Sequence, residues 1–195
     1  TLLKLTSPGV PDIYQGTDFW DFSLVDPDNR RPVDFAARRD AVASAESATE
    51  LAEHWRDGRI KQLVIRRALA LRRSLPDLFA RGDYLPCEAA GEGAEHVIAF
   101  VRHCGGLVAL TITSRLPARL LGGGDALIIP PSTWDGTTLQ IPGLGAPTPW
   151  HDVIGRRTAV PVGASAPLSE LFGGLPVALL VSGDRSPQHD SGEFF

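Results

Sequence analysis

The sequence lacks methionine altogether and contains only 2 cysteines in 195 residues. A translated chain begins with methionine, whereas this one begins with Thr1 in an apolar stretch, so we expect a piece of a longer protein, cut upstream of residue 1. Cys87 and Cys104 are too few for a disulfide scaffold, and neither has a cysteine or histidine at metal-ligand spacing. Both are predicted to be free thiols of a cytoplasmic protein.

An excess of charge of one sign and long apolar runs are also missing. The 19 basic and 23 acidic residues give a formal charge of −4, which provides no broad field for nucleic acid or an anionic membrane. No stretch approaches the roughly 20 apolar residues that span a bilayer, so we expect neither a membrane nor nucleic acid as a partner. The scattered histidines have no metal-ligand spacing, and no phosphate-binding or nucleophile motif occurs, so no metal or other cofactor is predicted.

Hydrophobic residues make up 43% of the chain, which is enough to fill a core. Helical signals dominate up to about residue 80. The stretch from Val33 to Glu46 has no helix breaker after Pro32, and from Arg59 to Ser74 apolar residues recur at steps of three and four. Pro76 is expected to end that second helix. Its basic residues lie largely off the apolar stripe, which predicts a charged outer face.

From about Tyr84 the pattern changes to that of short strands. Strands are predicted at residues 96–102, 107–113, 126–129, 138–141, 157–160 and 177–181, separated by turns rich in glycine and proline. The first two are joined through Cys104-Gly105-Gly106, a loop suited to a hairpin. This spacing predicts an antiparallel sandwich or a small barrel.

The most informative residues lie between positions 7 and 34. Pro11 to Tyr14 has room only for a brief strand, and a long polar loop follows, as at the carboxyl end of a strand in an α/β barrel. The residue types suit sugar recognition, because aromatic rings cover the apolar side of a pyranose and polar groups bind its hydroxyls. The aromatic candidates are Tyr14, Phe19 and Trp20, and the polar ones are Gln15, Asp18, Asp26, Asp28, Asn29, Arg30 and Arg31.

Structural interpretations of these residues stay open. Loop aromatics commonly pack into the interior, and closely spaced aspartates and arginines also pair with one another as a clamp. The stretch from Asp26 to Arg30 lacks the alternating ligands, central glycine and distal glutamate of an EF-hand, so no calcium site is predicted. In the strand-rich half, Trp134 and Trp150 are either packing residues or a surface site for glucan.

The runs PGVPDIYQG at 8–16 and SLVDPDNRRPVDF at 23–35 closely resemble the maltooligosyltrehalose synthases, a family within the α-amylase superfamily (glycoside hydrolase family 13). The resemblance continues through residues 60–65, 73–84 and 175–181 and so covers most of the chain. The PGxPxxYxG pattern is shared across the superfamily, whereas DPDNRRPVD is more specific to the synthases. This chain has Asp18 where relatives commonly carry glutamate after YQGT.

The resemblance implies an α+β fragment. Residues 1–80 would be the last strand and helices of a (β/α)8 barrel, and residues 81–195 an antiparallel β-sandwich C-terminal domain. On that template residues 1–6 end the seventh barrel helix, 11–14 form the eighth strand and 59–74 the eighth helix. The family's catalytic aspartate, glutamate and stabilising aspartate lie on earlier strands, and none maps onto this sequence. The isolated chain is therefore expected to be inactive, with apolar surface that the rest of the barrel would cover.

The resemblance also implies a function for the parent enzyme, a (1→4)-α-D-glucan 1-α-D-glucosylmutase. It rearranges the reducing-end α-1,4 bond of a maltooligosaccharide into an α,α-1,1 bond, and its functional partner is maltooligosyltrehalose trehalohydrolase. Tyr14, Asp28, Asn29, Arg30 and Arg31 are predicted to form the part of the substrate pocket retained here. Two alternatives remain at this point: a fragment of another superfamily member, such as an amylosucrase or α-amylase, and a stand-alone glucan-binding module.

Overall fold

The structure, a computed structural model, describes residues 1–23 and 31–182. The α-helices are α1 (Leu2–Thr6), α2 (Phe35–Ala43), α3 (Ala48–Glu53), α4 (Arg59–Ser74), α5 (Pro76–Ala80) and α6 (Leu168–Phe172). The strands are β1 (Asp83–Pro86), β2 (Glu88–Ala90), β3 (Val97–Cys104), β4 (Leu107–Ser114), β5 (Thr138–Gln140), β6 (Thr148–Asp152), β7 (Val160–Val162), β8 (Ser165–Pro167) and β9 (Val177–Ser182). Short 3₁₀ turns lie at Trp55–Asp57, Ala94–His96 and Pro131–Trp134.

The helix predicted at 59–74 is confirmed as α4, and most of its apolar residues lie on one side and are buried. The helix predicted at 33–46 is shorter. It begins only at Phe35, because the carboxylate of Asp34 accepts a hydrogen bond from the Ala37 amide and caps it. Helix α3 was not predicted from the sequence. It begins with a capping box, in which the side chains of Ser47 and Glu50 each accept a hydrogen bond from the other residue's backbone amide.

The strands form two antiparallel sheets. The larger has the order β1-β3-β4-β9-β6-β7 and the smaller the order β2-β5-β8. The predicted hairpin of β3 and β4 is confirmed: Cys104 pairs with Leu107 across Gly105 and Gly106, both of which have positive φ. The antiparallel α+β arrangement thus agrees with the sequence interpretation.

In the strand-rich half, two predicted strands differ from the structure. Residues 126–129 are not a strand, because their amides bond to separate segments: Leu127 donates to Ala52 and Ile129 to Gly174. The strand predicted at 157–160 is β7, which begins only at Val160. Arg156 and Ala159 have positive φ, a left-handed conformation that a strand does not contain.

The larger sheet lies between two layers of apolar residues. On β9, Leu179 and Val181 belong to a cluster with the helices α1, α3, α4 and α5, whereas Ala178 and Leu180 belong to a second cluster with α6 and the smaller sheet. This division follows from the alternation of side chains along a strand. The first cluster crosses the proposed boundary at residue 81, so the helices rest directly on the sheet.

The segment 11–14, expected as the eighth barrel strand, has no strand hydrogen bonding in this structure. A barrel strand requires a neighbour on each side, and none of the described strands pairs with this segment. Among the helices of the described ranges, none is long and apolar enough to cross a membrane.

Candidate functional site

The candidate site is built on residues 7–23, which we call the site loop. The loop follows α1 and turns at Tyr14, whose carbonyl accepts hydrogen bonds from the Thr17 amide at 3.0 Å and the Thr17 hydroxyl at 2.6 Å. Gly16 has φ +85°, and a Cβ there would lie 2.7 Å from Val33 Cγ2. This close packing brings the stretch with Tyr14 beside the stretch that begins at Arg31.

Asp18 sits at the centre of a hydrogen-bonded cluster. Its Oδ1 accepts a hydrogen bond from Arg38 Nε at 2.9 Å, and its Oδ2 accepts one from Gln62 Nε2 at 2.8 Å. Arg38 also donates to the carbonyls of Gly16 and Asp34. We call Asp18, Arg38 and Gln62 the Asp18 clamp. The clamp links the loop to α2 and α4 through Arg38 and Gln62, two residues that the sequence did not identify as partners of Asp18.

The three candidate aromatic rings of the loop differ in exposure. Trp20 packs against the first apolar cluster, and its Nε1 donates to the Trp55 carbonyl at 2.5 Å. Phe19 lies under the Arg38 guanidinium, 4.6 Å from the ring centroid, a cation–π contact. Only Tyr14 of the three has more than half of its side chain exposed, at 52%. Of the predicted sugar-facing rings, the structure therefore presents Tyr14.

Lys61 of α4 also contacts the site loop. Its Nζ donates to the Phe19 carbonyl at 2.9 Å and lies 5.5 Å from the Trp20 ring centroid. Burial lowers the pKa of the Lys61 ammonium, and the negative charges of Asp18 and Asp21 oppose that shift. Lys61 thus acts as a donor to the backbone of the loop.

Arg31 lies at the other end of the candidate site and is exposed. Hydrogen bonds from Ser23 lower the pKa of the Asp21 carboxyl, and the charge of Arg31 makes a smaller contribution in the same direction. The predicted site residues Asp28, Asn29 and Arg30, and also Asp26, lie outside the described residues.

The tryptophans of the strand-rich half are packing residues. Trp134 is fully buried and stacks on Phe172 with ring centroids 4.7 Å apart, and Trp150 is 2% exposed. Neither ring offers a surface to a glucan, so the glucan-binding alternative loses the residues that motivated it. Within the described ranges, no group of three or more His, Cys, Asp or Glu side chains could hold a metal ion.

The exposed groups of the site loop include an aromatic face on Tyr14, an amide on Gln15 and a carboxylate on Asp21, and Arg31, outside the loop, is also exposed. Such groups suit the binding of a polyhydroxylated ligand. The sequence predicted this loop as the site. It did not predict that Arg38, Lys61 and Gln62 hold the loop in place by hydrogen bonds.

Comparisons with known proteins agree on one enzyme. A protein of Mycobacterium tuberculosis, provisionally named maltooligosyl trehalose synthase, is 43% identical over 180 residues, which are 92% of this chain and 20% of that protein. The chain is homologous to the C-terminal part of maltooligosyl trehalose synthase. The solved structure of maltooligosyltrehalose synthase from Arthrobacter ramosus is 42% identical with a TM-score of 0.66, over 92% of this chain and 21% of that chain.

A further solved structure, a hypothetical maltooligosyl trehalose synthase from Sulfolobus tokodaii, is 29% identical with a TM-score of 0.55. It matches 92% of this chain and 19% of that chain. No family model matches the sequence. This chain thus spans about one fifth of the length of these maltooligosyl trehalose synthases.

Proposed function

We propose that this chain supplies the C-terminal part of a maltooligosyl trehalose synthase, which converts the reducing-end α-1,4 bond of a maltooligosaccharide into an α,α-1,1 bond. The observation that carries the proposal is the 43% identity over 92% of the chain. The relatives named above share one enzyme name, which favours this function over that of an α-amylase or amylosucrase. The proposed substrate is therefore a maltooligosaccharide.

In this proposal the catalytic carboxylates lie in the part of the enzyme outside this chain. A covalent glucan–enzyme intermediate is attacked by the freed glucose rather than by water, so the pocket has to hold that glucose and exclude solvent. We assign Tyr14 to stack on a sugar ring and Asp28, Asn29, Arg30 and Arg31 to bind hydroxyls. The Asp18 clamp supports this assignment for Tyr14, because it fixes the loop without occupying the ring.

Exposed apolar side chains support a barrel remnant in residues 1–80. Helix α2 has no buried residue, and it presents Phe35 at 55% exposure and Val42 at 38%. On the site loop, Val10 is 95% and Phe22 86% exposed. Large apolar groups exposed together mark a surface that another part of a protein covers. We propose that the remaining (β/α)8 barrel covers them, with a boundary near residue 81 and a β-sandwich after it.

A complementation experiment tests this function. The chain is mixed with a synthase from a relative that has been truncated to remove the matching region, and maltoheptaose is supplied. Loss of reducing ends without release of glucose measures the rearrangement. We expect no product from either part alone and product from the mixture. Product formed by this chain alone would refute the assignment of the carboxylates, and an inactive complex of the two parts would refute the proposed function.

Matched surface variants sharpen the test. Phe35→Glu with Val42→Glu changes the apolar face of α2, whereas Leu116→Glu with Ile98→Glu changes side chains of similar exposure, 59% and 39%, on the strand-rich half. The first pair is expected to abolish complementation and the second to leave it intact, with both variants folded. Equal effects of the two pairs would contradict a barrel surface on α2.

The product of the proposed reaction is a trehalose-ended glucan. An enzyme that hydrolyses the bond next to the trehalose unit, a maltooligosyltrehalose trehalohydrolase, is the proposed functional partner. The low cysteine content supports a cytoplasmic location within the same proposal.

A further inference from the structure

A buried arginine of the larger sheet reaches the start of the site loop. Arg102 lies on β3 and is 1% exposed. Its Nη1 donates to the carbonyl of Thr6, the last residue of α1, at 3.1 Å. Its Nη2 donates to the carbonyls of Phe79 at 3.0 Å and Gly82 at 2.8 Å, and its Nε to that of Asp83 at 3.3 Å. One side chain thus ties α1, the end of α5 and β1 to the sheet.

A second arginine completes the arrangement from the helix layer. Arg72 of α4 donates from Nη1 to the Leu5 carbonyl at 2.8 Å and from Nη2 to the Gly9 carbonyl at 3.0 Å. Its guanidinium also lies 5.1 Å from the centroid of the Phe79 ring, whose own carbonyl binds Arg102. Arg72 and Arg102, which we call the arginine pair, hold the carbonyls at positions 5, 6 and 9.

The arginine pair is held by hydrogen bonds to backbone carbonyls rather than by carboxylates. The ion pairs of the described ranges do not include Arg72 or Arg102. Burial lowers the pKa of both guanidinium groups, and the charge of Arg72 lowers that of Arg102 further. Arg102 is buried and Arg72 is partly buried. A buried cation without a carboxylate is costly, and hydrogen bonds to carbonyls offset that cost. The same hydrogen bonds fix a direction for the chain, since a guanidinium offers its donors in a rigid fork.

We propose that Arg72 and Arg102 are positioning residues that set where the site loop leaves α1, so that the sheet and α4 together orient Tyr14. Gly9 has φ +117° and turns the chain toward Tyr14, and Ile13 packs against the first apolar cluster. The inference rests on the proposed function only for the use of Tyr14 in binding sugar. The positioning itself is measurable in the chain without any ligand.

The chain contains 2 tyrosines, Tyr14 and Tyr84, which allows a direct readout. Labelling with 3-fluorotyrosine gives two ¹⁹F resonances, assigned with Tyr14→Phe. The test variants are Arg72→Lys and Arg102→Met. Lysine keeps the charge but loses the fork that reaches two carbonyls. Since Tyr84 pairs with Arg102 across β1 and β3, Arg72→Lys gives the cleaner comparison.

We expect Arg72→Lys to shift or broaden the Tyr14 resonance and leave that of Tyr84 in place. Hydrogen exchange of the Ser7 amide, which donates to the Leu3 carbonyl at 2.9 Å at the end of α1, is expected to be faster in both variants. The control is Arg157→Lys, because Arg157 also donates to two carbonyls, those of Glu170 and Leu171 in α6, although unlike Arg72 it additionally pairs with a carboxylate, that of Asp152. That control is expected to leave the Tyr14 resonance unchanged.

A wild-type Tyr14 resonance together with wild-type exchange of the Ser7 amide in folded Arg72→Lys would overturn the proposal, and so would an equal change of the Tyr14 resonance in the control. If Arg102→Met does not fold, the Arg72→Lys comparison decides alone. In the complementation mixture, Arg72→Lys is expected to raise the KM for maltoheptaose about tenfold with less change in kcat. Failure of the unaltered chain to complement would count against the proposed function, while the ¹⁹F comparison still tests the positioning.

Discussion

Replacing Asp18 tests whether the Asp18 clamp holds the site loop. The two carboxylate oxygens accept hydrogen bonds at 2.9 Å from Arg38 and 2.8 Å from Gln62, and the Arg38 and Asp18 side chains are 18% and 23% exposed. A hydrogen bond to a charged group contributes about 1.5–3 kcal/mol when buried. Partial exposure screens the ion pair. We therefore expect Asp18→Ala to lower the free energy of unfolding by about 2 kcal/mol.

A second substitution separates charge from shape. Asp18→Asn keeps the volume and one acceptor, but its NH₂ group faces a donor of Arg38 or Gln62 in either orientation. We expect a loss of about 1–2 kcal/mol. Urea unfolding followed by tryptophan fluorescence measures both variants, and an unchanged m value shows that the two-state comparison holds.

A double-mutant cycle isolates the ion pair. Asp18→Ala and Arg38→Ala are expected to couple by about 1 kcal/mol, since the two side chains share one hydrogen bond. Asp12→Ala, an exposed aspartate of the same loop, is the control and is expected to change stability by less than about 0.5 kcal/mol. A cost for Asp18→Ala as small as the control, or a coupling of zero, would show that the clamp does not hold the loop.

Three more predictions concern the support of the site loop, the reactivity of Cys87 and the pH dependence of stability. Gly58→Ala places a Cβ 2.9 Å from Trp20 N at φ +85°, so urea unfolding should show a loss of at least about 1 kcal/mol. Burial raises the pKa of Cys87 to about 12, so iodoacetamide at pH 8 should leave Cys87 unmodified in folded Cys104→Ser and modify it in urea. Burial lowers the pKa of His151 below 6.5, so as the pH falls the unfolded chain binds the proton at a higher pH than the folded chain does. The free energy of unfolding should therefore fall as the pH drops below about 6.5, and it should fall less in His151→Gln.

The sequence predicts the parts of this fold that depend on local periodicity. Helix α4 has sixteen residues with a clear apolar stripe, and its bounds were predicted correctly from Arg59 to Ser74. The hairpin of β3 and β4 was predicted from two β-rich runs around Gly105 and Gly106. The apolar run at 126–129 misled the prediction, because periodicity does not distinguish a strand from an extended segment that bonds to two different neighbours.

The candidate site was predictable only in its location. The sequence identified the loop and named Tyr14, which the structure exposes. The partners of Asp18 lie on α2 and α4, at sequence separations of 20 and 44 residues, so they depend on how those helices pack. Local patterns carry no information on such contacts. The burial of Trp134 could not be predicted from local patterns either, because it depends on the packing of the second apolar cluster around the ring.

The basic residues predicted on the outer face of α4 also make contacts that the sequence pattern does not predict. Lys61 donates to Phe19, Arg67 to Ile154, and Arg72 to the carbonyls of Leu5 and Gly9. Long basic side chains can lie along apolar surface with their charged ends on backbone acceptors, so an amphipathic pattern does not distinguish solvent from such contacts.

The contacts of α4 also have a consequence for the site. Lys61, Gln62 and Arg72 hold the site loop at three separate points: the Phe19 carbonyl, the Asp18 carboxylate and the Gly9 carbonyl. These points lie on both sides of Tyr14 along the chain. A loop held at several points on a rigid helix loses less conformational entropy when a ligand binds than a free loop does. The position of Tyr14 therefore depends on α4 and on the sheet that packs against it. If Tyr14 binds sugar as proposed, substitutions in α4 that do not contact the sugar are expected to alter that binding.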